Sequence, residues 1–381
     1  MSTFKVKVYE IEIQPHPNAD VIELAVIGDF RSIVRKGQYK NGDLVAYIPE
    51  ASLLPDGITE ELGLTGKLSS GNKVKAIKLR GELSQGLIYP ARSHWKLDDD
   101  VKEELGITKY EPQVPDTFRG HGLNIGQQNT VRYDIENFKF FAGLIKTGEE
   151  IIITEKLHGT NCQMILLPEP HYRAEGIKDF FVASKGLGAN GFVFDPTLEI
   201  NKPNAYCRMA LEFSVEEKMK NSPMVKKFLT ENKPVIIMGE VLGNGIQDLA
   251  YGTNTTFRIF DCFVGKRSSG RFLDYDDLKA LCLELGLPQV PELYRGPFSK
   301  KVVYDHTDGK ETLSGHSVHV REGVVIRPTK ERYLQGRECY ECGTIGHCSC
   351  RADKFDGVYG RIQLKNISGD YLTRKNATEY N

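Results

Sequence analysis

Lys156 stands in the segment EKLHGTNC, residues 155–162, between two apolar runs, IIIT and QMILL, that read as strands. The spacing places it at a strand-to-strand turn, with Gly159 supplying the tight backbone. A lysine there becomes a nucleophile once its amine is neutral, and neighbouring cations or a metal ion can bring that about. Taken alone, it reads more readily as a solvated hairpin lysine, and His158 as an ordinary turn residue. Other charged and aromatic residues follow in comparable settings. ASKGLG puts Lys185 in a glycine-rich turn, and VIIMGEVLG puts Glu240 at the end of an apolar strand. The alternation of FRIFDCFV predicts that Phe260 and Asp261 face opposite ways. REGVVIRP sets Glu322 just before an apolar run, and RIQLKNIS turns Arg361, Gln363 and Lys365 to one side, away from Ile362 and Leu364.

A second set of chemistry-bearing residues is the cysteine cluster. Of eight cysteines, four stand singly at 162, 207, 262 and 282, while Cys339, Cys342, Cys348 and Cys350 crowd together around His347. In a chain without a recognisable signal peptide, such crowding reads as metal binding before disulfides. Cys339-x2-Cys342-x4-His347, with glycines after the second cysteine and before the histidine, looks like a zinc knuckle. The knuckle's last cysteine would fall at position 352, which is Ala352. Cys348 or Cys350 takes its place, or the four cysteines bind zinc without the histidine; free thiols in a surface insertion are the other reading. Soft ligands so close suit tetrahedral structural Zn2+. The insertion is placed at 337–352.

These residues need elements to hold them. A chain of 381 residues fits two domains, and 40% apolar residues supply a sizeable core. No apolar stretch approaches a membrane span, so a membrane protein is excluded and a cytoplasmic one expected. Lys and Arg number 50 against 51 Asp and Glu, so nucleic-acid binding must come from local patches. One such patch is 67–80, where Lys67, Lys73, Lys75, Lys78 and Arg80 occur with no acid. It reads as a strand presenting cations on one side: an RNA-binding face, or the lysine-guarded edge of a sheet. Residues 1–92 show short apolar runs separated by turn signals and no helices, which predicts a small all-β barrel or sandwich. The polar stretch 93–130 reads as a linker, and 131–146 as one amphipathic helix. From 147 onward strands and helices mix. A helix is expected over 207–230 with a break at Pro223, and another over Asp274–Leu285 ended by Gly286.

The ordered set KLHG, SKG, GEVLG, FRIFD, EGVVIRP and LKNIS resembles the motif series of the covalent lysyl-nucleotidyltransferases, which comprise DNA ligases, RNA ligases and mRNA capping enzymes. KLHGTN points toward RNA ligases. HPNAD at 16–20, RGELSQGLIYP at 80–90, LGITKYEPQVP at 105–115 and the ending YLTRKNATEYN look like the Deinococcus/Naegleria-type RNA ligases, which carry an OB domain ahead of the catalytic domain. The resemblance implies an α+β chain. An OB-like all-β barrel over 1–110 and a linker with connecting helix over 111–146 lead into an antiparallel-sheet nucleotidyltransferase domain of the ATP-grasp-like ligase kind over 147–381.

Carried over residue by residue, the resemblance implies that Lys156 attacks the α-phosphate of ATP and becomes lysyl-AMP. Glu155 helps hold the adenine, Phe260 stacks on it, and Glu240 contacts the ribose. Lys185 stands where many relatives have arginine and contacts phosphate. Glu322 binds Mg2+ or Mn2+. Lys365 contacts the AMP phosphate and, by charge repulsion, favours a neutral Lys156. Asp261 supports the fold, and His158 replaces an aspartate that orders metal-bound water in some relatives. Gln363 stands where related ligases often have a lysine, and Arg361 on the same face is the candidate replacement. These residue types suit phosphoryl transfer, which is catalysed mainly by positioning and charge neutralisation.

The expected function is therefore ATP-dependent sealing of RNA 3′-OH and 5′-phosphate ends, in a nicked duplex, by a monomer. A GTP-dependent capping guanylyltransferase would use the same lysine but normally carries its OB domain after the catalytic domain. A non-catalytic RNA- or tRNA-binding OB protein would not be expected to keep Lys156, Glu240, Glu322 and Lys365.

Overall fold

The computed structural model describes residues 4–110, 120–173, 176–333 and 361–375. The cysteine cluster from Cys339 to Cys350 lies outside the described residues, as do 111–119 of the linker. The described residues form two units. One holds 120–136 and 142–366; the other holds 4–110, 137–141 and 367–375. The division is interleaved in sequence, where consecutive domains had been expected.

The N-terminal unit is all-β apart from short turns of helix. Strands Lys7–Glu10, Leu44–Ile48 and Leu87–Pro90 make one antiparallel sheet, and Glu12–Pro15, Ile22–Ile27 and Phe30–Arg35 another. Leu44–Ile48 is buried on both faces. Ala46 and Ile48 enter a core with Val8, Tyr89 and Trp95, while Val45 and Tyr47 enter a second with Ala25, Phe30 and Ile88. This is the period of two that a strand imposes. Two later segments of the chain, 137–141 and 367–375, complete the unit. A Cβ on Gly369 would meet Leu83 Cδ2 at 3.1 Å, and Phe140 packs on Phe30 with ring centroids 4.5 Å apart.

The larger unit contains a seven-stranded antiparallel sheet in the order Gly122–Asn124, Phe192–Phe194, Gly176–Ser184, Thr160–Arg173, Val235–Leu242, Thr256–Val264, Arg271–Phe272. One face, with Cys162, Met164 and Leu166, packs on helices Ala205–Glu212, Val215–Asn221, Pro223–Thr230 and Tyr275–Leu285. The opposite face carries Ile165, Phe181, Met238 and Phe263. A second sheet aligns Glu292–Pro297, Glu150–Lys156, Gly323–Pro328 and Leu364–Ile367 in that order. No helix among the described residues is long and apolar enough to cross a membrane.

The stretch 93–130, expected as a linker, instead places Trp95, Val101, Leu105 and Ile107 in the N-terminal core and Gly122–Asn124 in the seven-stranded sheet. Three further expectations change. The helix expected over 207–230 has a second break, where Ser214 adopts a left-handed conformation at φ 49°. The helix expected over 131–146 does not form. Residues 131–135 are irregular, Glu136–Asn137 is strand, and α-helix is confined to Phe138–Phe141. Buried polar side chains override the apolar periodicity there: Gln163 Nε2 donates to Val131 O at 2.7 Å, and Gln163 Oε1 accepts from Val131 N at 3.2 Å.

The third change concerns 67–80, which is not a single cationic strand. Only Ile77–Leu79 is strand, paired with Glu82–Ser84 through a tight turn with Arg80 at φ 47° and Gly81 at φ 93°. Lys73 is buried, with its Nζ 3.9 Å from the Tyr110 ring centroid, and burial lowers its pKa. Lys75 is half-buried, and Lys78 is bound to Asp370 at 2.5 Å. Alternation of charge and apolar residues had suggested a one-sided strand; two turns and a buried lysine scatter the cations instead.

Candidate active site

The strand Glu150–Lys156 ends at Lys156, and the chain turns through Leu157–Gly159 into the strand starting at Thr160. Gly159 is required by close approach, since a Cβ there would lie 2.3 Å from Val241 O and 2.9 Å from Glu240 Cγ. Pairing of Asn161 with Glu240 and of Lys156 with Gly323 then fixes which side chains surround the turn. The result is a cavity of about 190 Å³ walled by Glu155, Lys156, Lys185, Glu240, Phe260 and Lys365, six of the residues singled out by sequence. Glu322 is not on the cavity wall. It sits behind Lys156, 8% exposed, and accepts from Lys156 Nζ at 2.5 Å.

Positive charge converges on this cavity. Lys365 is pushed down to about 8, first by burial, then by the charges of Lys156 and Lys185, with Glu322 and Asp134 opposing. Lys185 opens the short helix Lys185–Ala189, which Ser184 caps by accepting from Leu187 N. Its Nζ contacts Asp134 Oδ1 at 2.6 Å. Burial works against ionisation of Asp134, yet Lys185 holds its carboxyl down to about 2. Glu155 is buried, and burial raises its pKa. Its Oε2 accepts from Thr312 N at 2.9 Å and from the Thr312 hydroxyl, while Oε1 is buried without a partner.

Phe260 and Asp261 do not face opposite ways. Met238 pairs with Asp261 and Gly239 with Ile259, so Phe260 is the extra residue of a β-bulge. A bulge re-aims side chains, and here both residues meet Tyr133. The Phe260 ring lies 5.2 Å from that of Tyr133, whose hydroxyl is 3.0 Å from Asp261 Oδ2. Asp261 is fully buried and contacts Arg361 NH1 at 2.6 Å and Arg327 NH1 at 3.4 Å. Arg361 also forks onto Glu331 at 2.6 and 2.7 Å. Two buried guanidiniums and two carboxylates thus tie the bulged strand to the strand of Lys365. Arg361 is occupied in this network rather than turned to the cavity as a spare cation.

His158 is likewise committed elsewhere. It is buried, its Nε2 is 3.0 Å from Asp248 Oδ1, and its backbone N donates to the Tyr251 hydroxyl at 2.6 Å. It braces the turn and does not line the cavity. Sequence reasoning passed over Tyr133, Asp134, Asn161 and Arg327, which do line it. Asn161 Oδ1 is buried and unpartnered. The asparagine was visible in KLHGTN; Tyr133 and Asp134 were masked by the expected helix.

No group of three or more His, Cys, Asp or Glu side chains that could hold a metal ion occurs among the described residues. The single carboxylate of Glu322 nevertheless suits Mg2+ or Mn2+ bound jointly with a nucleotide. Mg2+ ordinarily keeps several waters and takes one or two carboxylates plus phosphate oxygens.

Fold and site together define an OB unit joined to an antiparallel nucleotidyltransferase unit with a lysine at its centre. A family model for RNA ligases matches residues 149–341, just over half of the chain, and the chain belongs to that family. An OB-fold domain model matches residues 5–91. No curated protein matches the chain. Solved structures of Naegleria gruberi RNA ligase are similar in fold. A lysine-to-alanine variant with ATP and Mn has a TM-score of 0.71 at 20% identity, covering 96% of this chain and 98% of that one. An apo aspartate-to-alanine variant gives 0.70 at 20% identity, covering 98% of each. The ligase with PPi gives 0.69 at 19% identity, covering 97% and 98%.

Proposed function

We propose that this RNA ligase uses ATP and a lysyl-AMP intermediate on Lys156 to seal RNA 3′-OH and 5′-phosphate ends. The observation that carries the reading is the convergence of Lys156, Lys185 and Lys365 on one aromatic-walled cavity with Glu322 behind the nucleophile. The similar Naegleria gruberi structures with ATP, Mn and PPi support the choice of nucleotide and cation.

Neutral Lys156 Nζ attacks the α-phosphorus; the P–N bond forms, the bond to pyrophosphate breaks, and the nitrogen gives up a proton. Attack needs the neutral amine, and the charge of Lys365 on the same cavity favours it, against the opposing pull of Glu322. Lys365 and Lys185 attract the phosphates. Phe260 offers its face to the adenine, Glu240 an acceptor to the ribose, and the unpartnered Glu155 Oε1 an acceptor for the exocyclic amine. Such a carboxylate disfavours guanine, whose corresponding group is an oxygen. Glu322 and the nucleotide phosphates would hold a divalent cation, which supplies charge neutralisation to the leaving pyrophosphate. An RNA 5′-phosphate oxygen then attacks the lysyl-AMP phosphorus, the P–N bond breaks, and the amine regains its proton. Finally a 3′-OH attacks the adenylylated end and AMP departs.

The inferred substrate is a nicked duplex, by resemblance to the Deinococcus/Naegleria-type ligases, with the N-terminal unit as a second grip on RNA. Sealing of one labelled RNA, offered nicked and single-stranded, tests the preference. Equal rates on both would remove it.

A further inference from the structure

We infer that residues 130–135, which precede the segment matched by the RNA ligase model, are a working part of the nucleotide site, with Tyr133 and Asp134 as its positioning residues. The inference rests on the proposed adenylylation at Lys156.

The strap is held from both sides by buried polar groups. Arg267, 5% exposed, donates through Nε to Thr130 O at 3.0 Å and through NH2 to the Thr130 hydroxyl at 2.9 Å. Gln163, fully buried, makes the paired bonds to Val131 N and O described above. These bonds pin Thr130 and Val131, at the entry to a segment that is neither helix nor strand, and so set the direction in which it runs. That course delivers consecutive side chains to two different parts of the cavity.

Tyr133 is 3% exposed and reaches the base side. Its ring lies against Phe260 at 5.2 Å and edge-on to Phe272 at 5.9 Å. Its hydroxyl lies 3.0 Å from both Asp261 Oδ2 and Gln363 Oε1. The identity of that Gln363 atom is set by chemistry. It also receives Arg361 NH1 at 2.9 Å, and a guanidinium only donates, so the atom is the oxygen. The Tyr133 hydroxyl has one proton and faces two acceptors, so it donates to either Asp261, on the bulged strand of Phe260, or Gln363, next to the strand of Lys365. Asp134 reaches the phosphate side, where its Oδ1 holds Lys185 Nζ at 2.6 Å. A lysine on a flexible stem has no preferred aim of its own; Asp134 gives Lys185 one.

The two residues thus have separable effects. Stacking and base placement bind ground state and transition state alike, so disturbing them raises KM. Aiming a cation at the reacting phosphate acts on kcat. The experiment measures lysyl-AMP formation at varied ATP for the full chain and for Tyr133→Phe, Asp134→Asn and Asp134→Glu, with Lys156→Ala as control and thermal unfolding of each. Tyr133→Phe should raise KM about fivefold with kcat within about twofold, the size of one lost hydrogen bond. Asp134→Asn should lower kcat about tenfold at little change in KM, since it removes a charged partner, and Asp134→Glu should restore part of it. Two results would overturn the inference. One is all three variants keeping both parameters within about twofold. The other is both parameters falling together in proportion to lost thermal stability. If the wild type itself forms no lysyl-AMP, or the Lys156→Ala control still does, the reading of the reaction has failed instead.

Discussion

Two lysine-rich regions of this chain differ in a way that sequence spacing conceals. Lys156, Lys185 and Lys365 are separated by long stretches of chain, yet they converge on one cavity, and Lys365 is pushed down to about 8, first by burial and then by the charges of the other two. Lys67, Lys73, Lys75, Lys78 and Arg80 sit within fourteen positions yet act separately. Lys67 Nζ donates to Gly63 O at 2.8 Å, Lys73 lies over Tyr110, Lys78 pairs with Asp370, and Arg80 turns a hairpin. Charge becomes functional when sheets bring it together, and a run along the chain does not ensure that.

The sharpest way to break the contrast is to remove a cavity charge. Lys365→Ala should lower the rate of lysyl-AMP formation by at least about a hundredfold, in the range seen when one preorganised charge-stabilising group is lost. Comparable activity in that variant would make the convergence incidental.

Disconnecting the sheets should act on the fold instead. Asp261→Ala leaves Arg361 and Arg327 buried with less compensation and should destabilise the protein by about 3–5 kcal/mol, read from urea unfolding. A loss under about 1 kcal/mol would mean that Glu331 alone satisfies both guanidiniums.

The cavity should also respond to pH. Lys365 is charged below its lowered pKa and neutral above it. Its attraction for phosphate is therefore present below about pH 8 and lost as pH rises through that value. kcat/KM reports the free enzyme, so it should fall above about pH 8 for ATP, and Lys365→Gln should abolish that falling limb. A wild-type profile flat to about pH 9.5 would contradict the assignment.

The smallest effect belongs to the N-terminal unit. Neutralising Lys67, Lys75 and Lys78 together should leave lysyl-AMP formation unchanged, weaken RNA binding modestly and flatten its salt dependence. The slope should shrink by about 0.7–0.9 for every phosphate that these lysines no longer neutralise. An unchanged slope would return the run to a solvated surface.

Much of the larger unit was legible because its signals are local. The strand ending at Lys156, the glycine needed two residues past the turn's start, and the helix stopped by Gly286 at φ 58° each follow from a few adjacent residues. What escaped was set by distant partners. The strap 130–135 follows Gln163 and Arg267, neither of which its own sequence reveals. The shared face of Phe260 and Asp261 comes from an inserted residue in pairing with Val235–Leu242, which alternation along one strand cannot show. His158 found Asp248, ninety residues on, and so left the role its motif position suggested.

The central claim is that Lys156 becomes covalently adenylylated, and labelling tests it most directly. Purified protein is incubated with a divalent cation and either ATP or GTP labelled in the α-phosphate, beside the Lys156→Ala variant. The account predicts a covalent label from ATP on the wild type, a much weaker one from GTP, and none on Lys156→Ala, while that variant still seals RNA supplied already adenylylated. Label retained by Lys156→Ala, or a wild type labelled by GTP in preference to ATP, would contradict it.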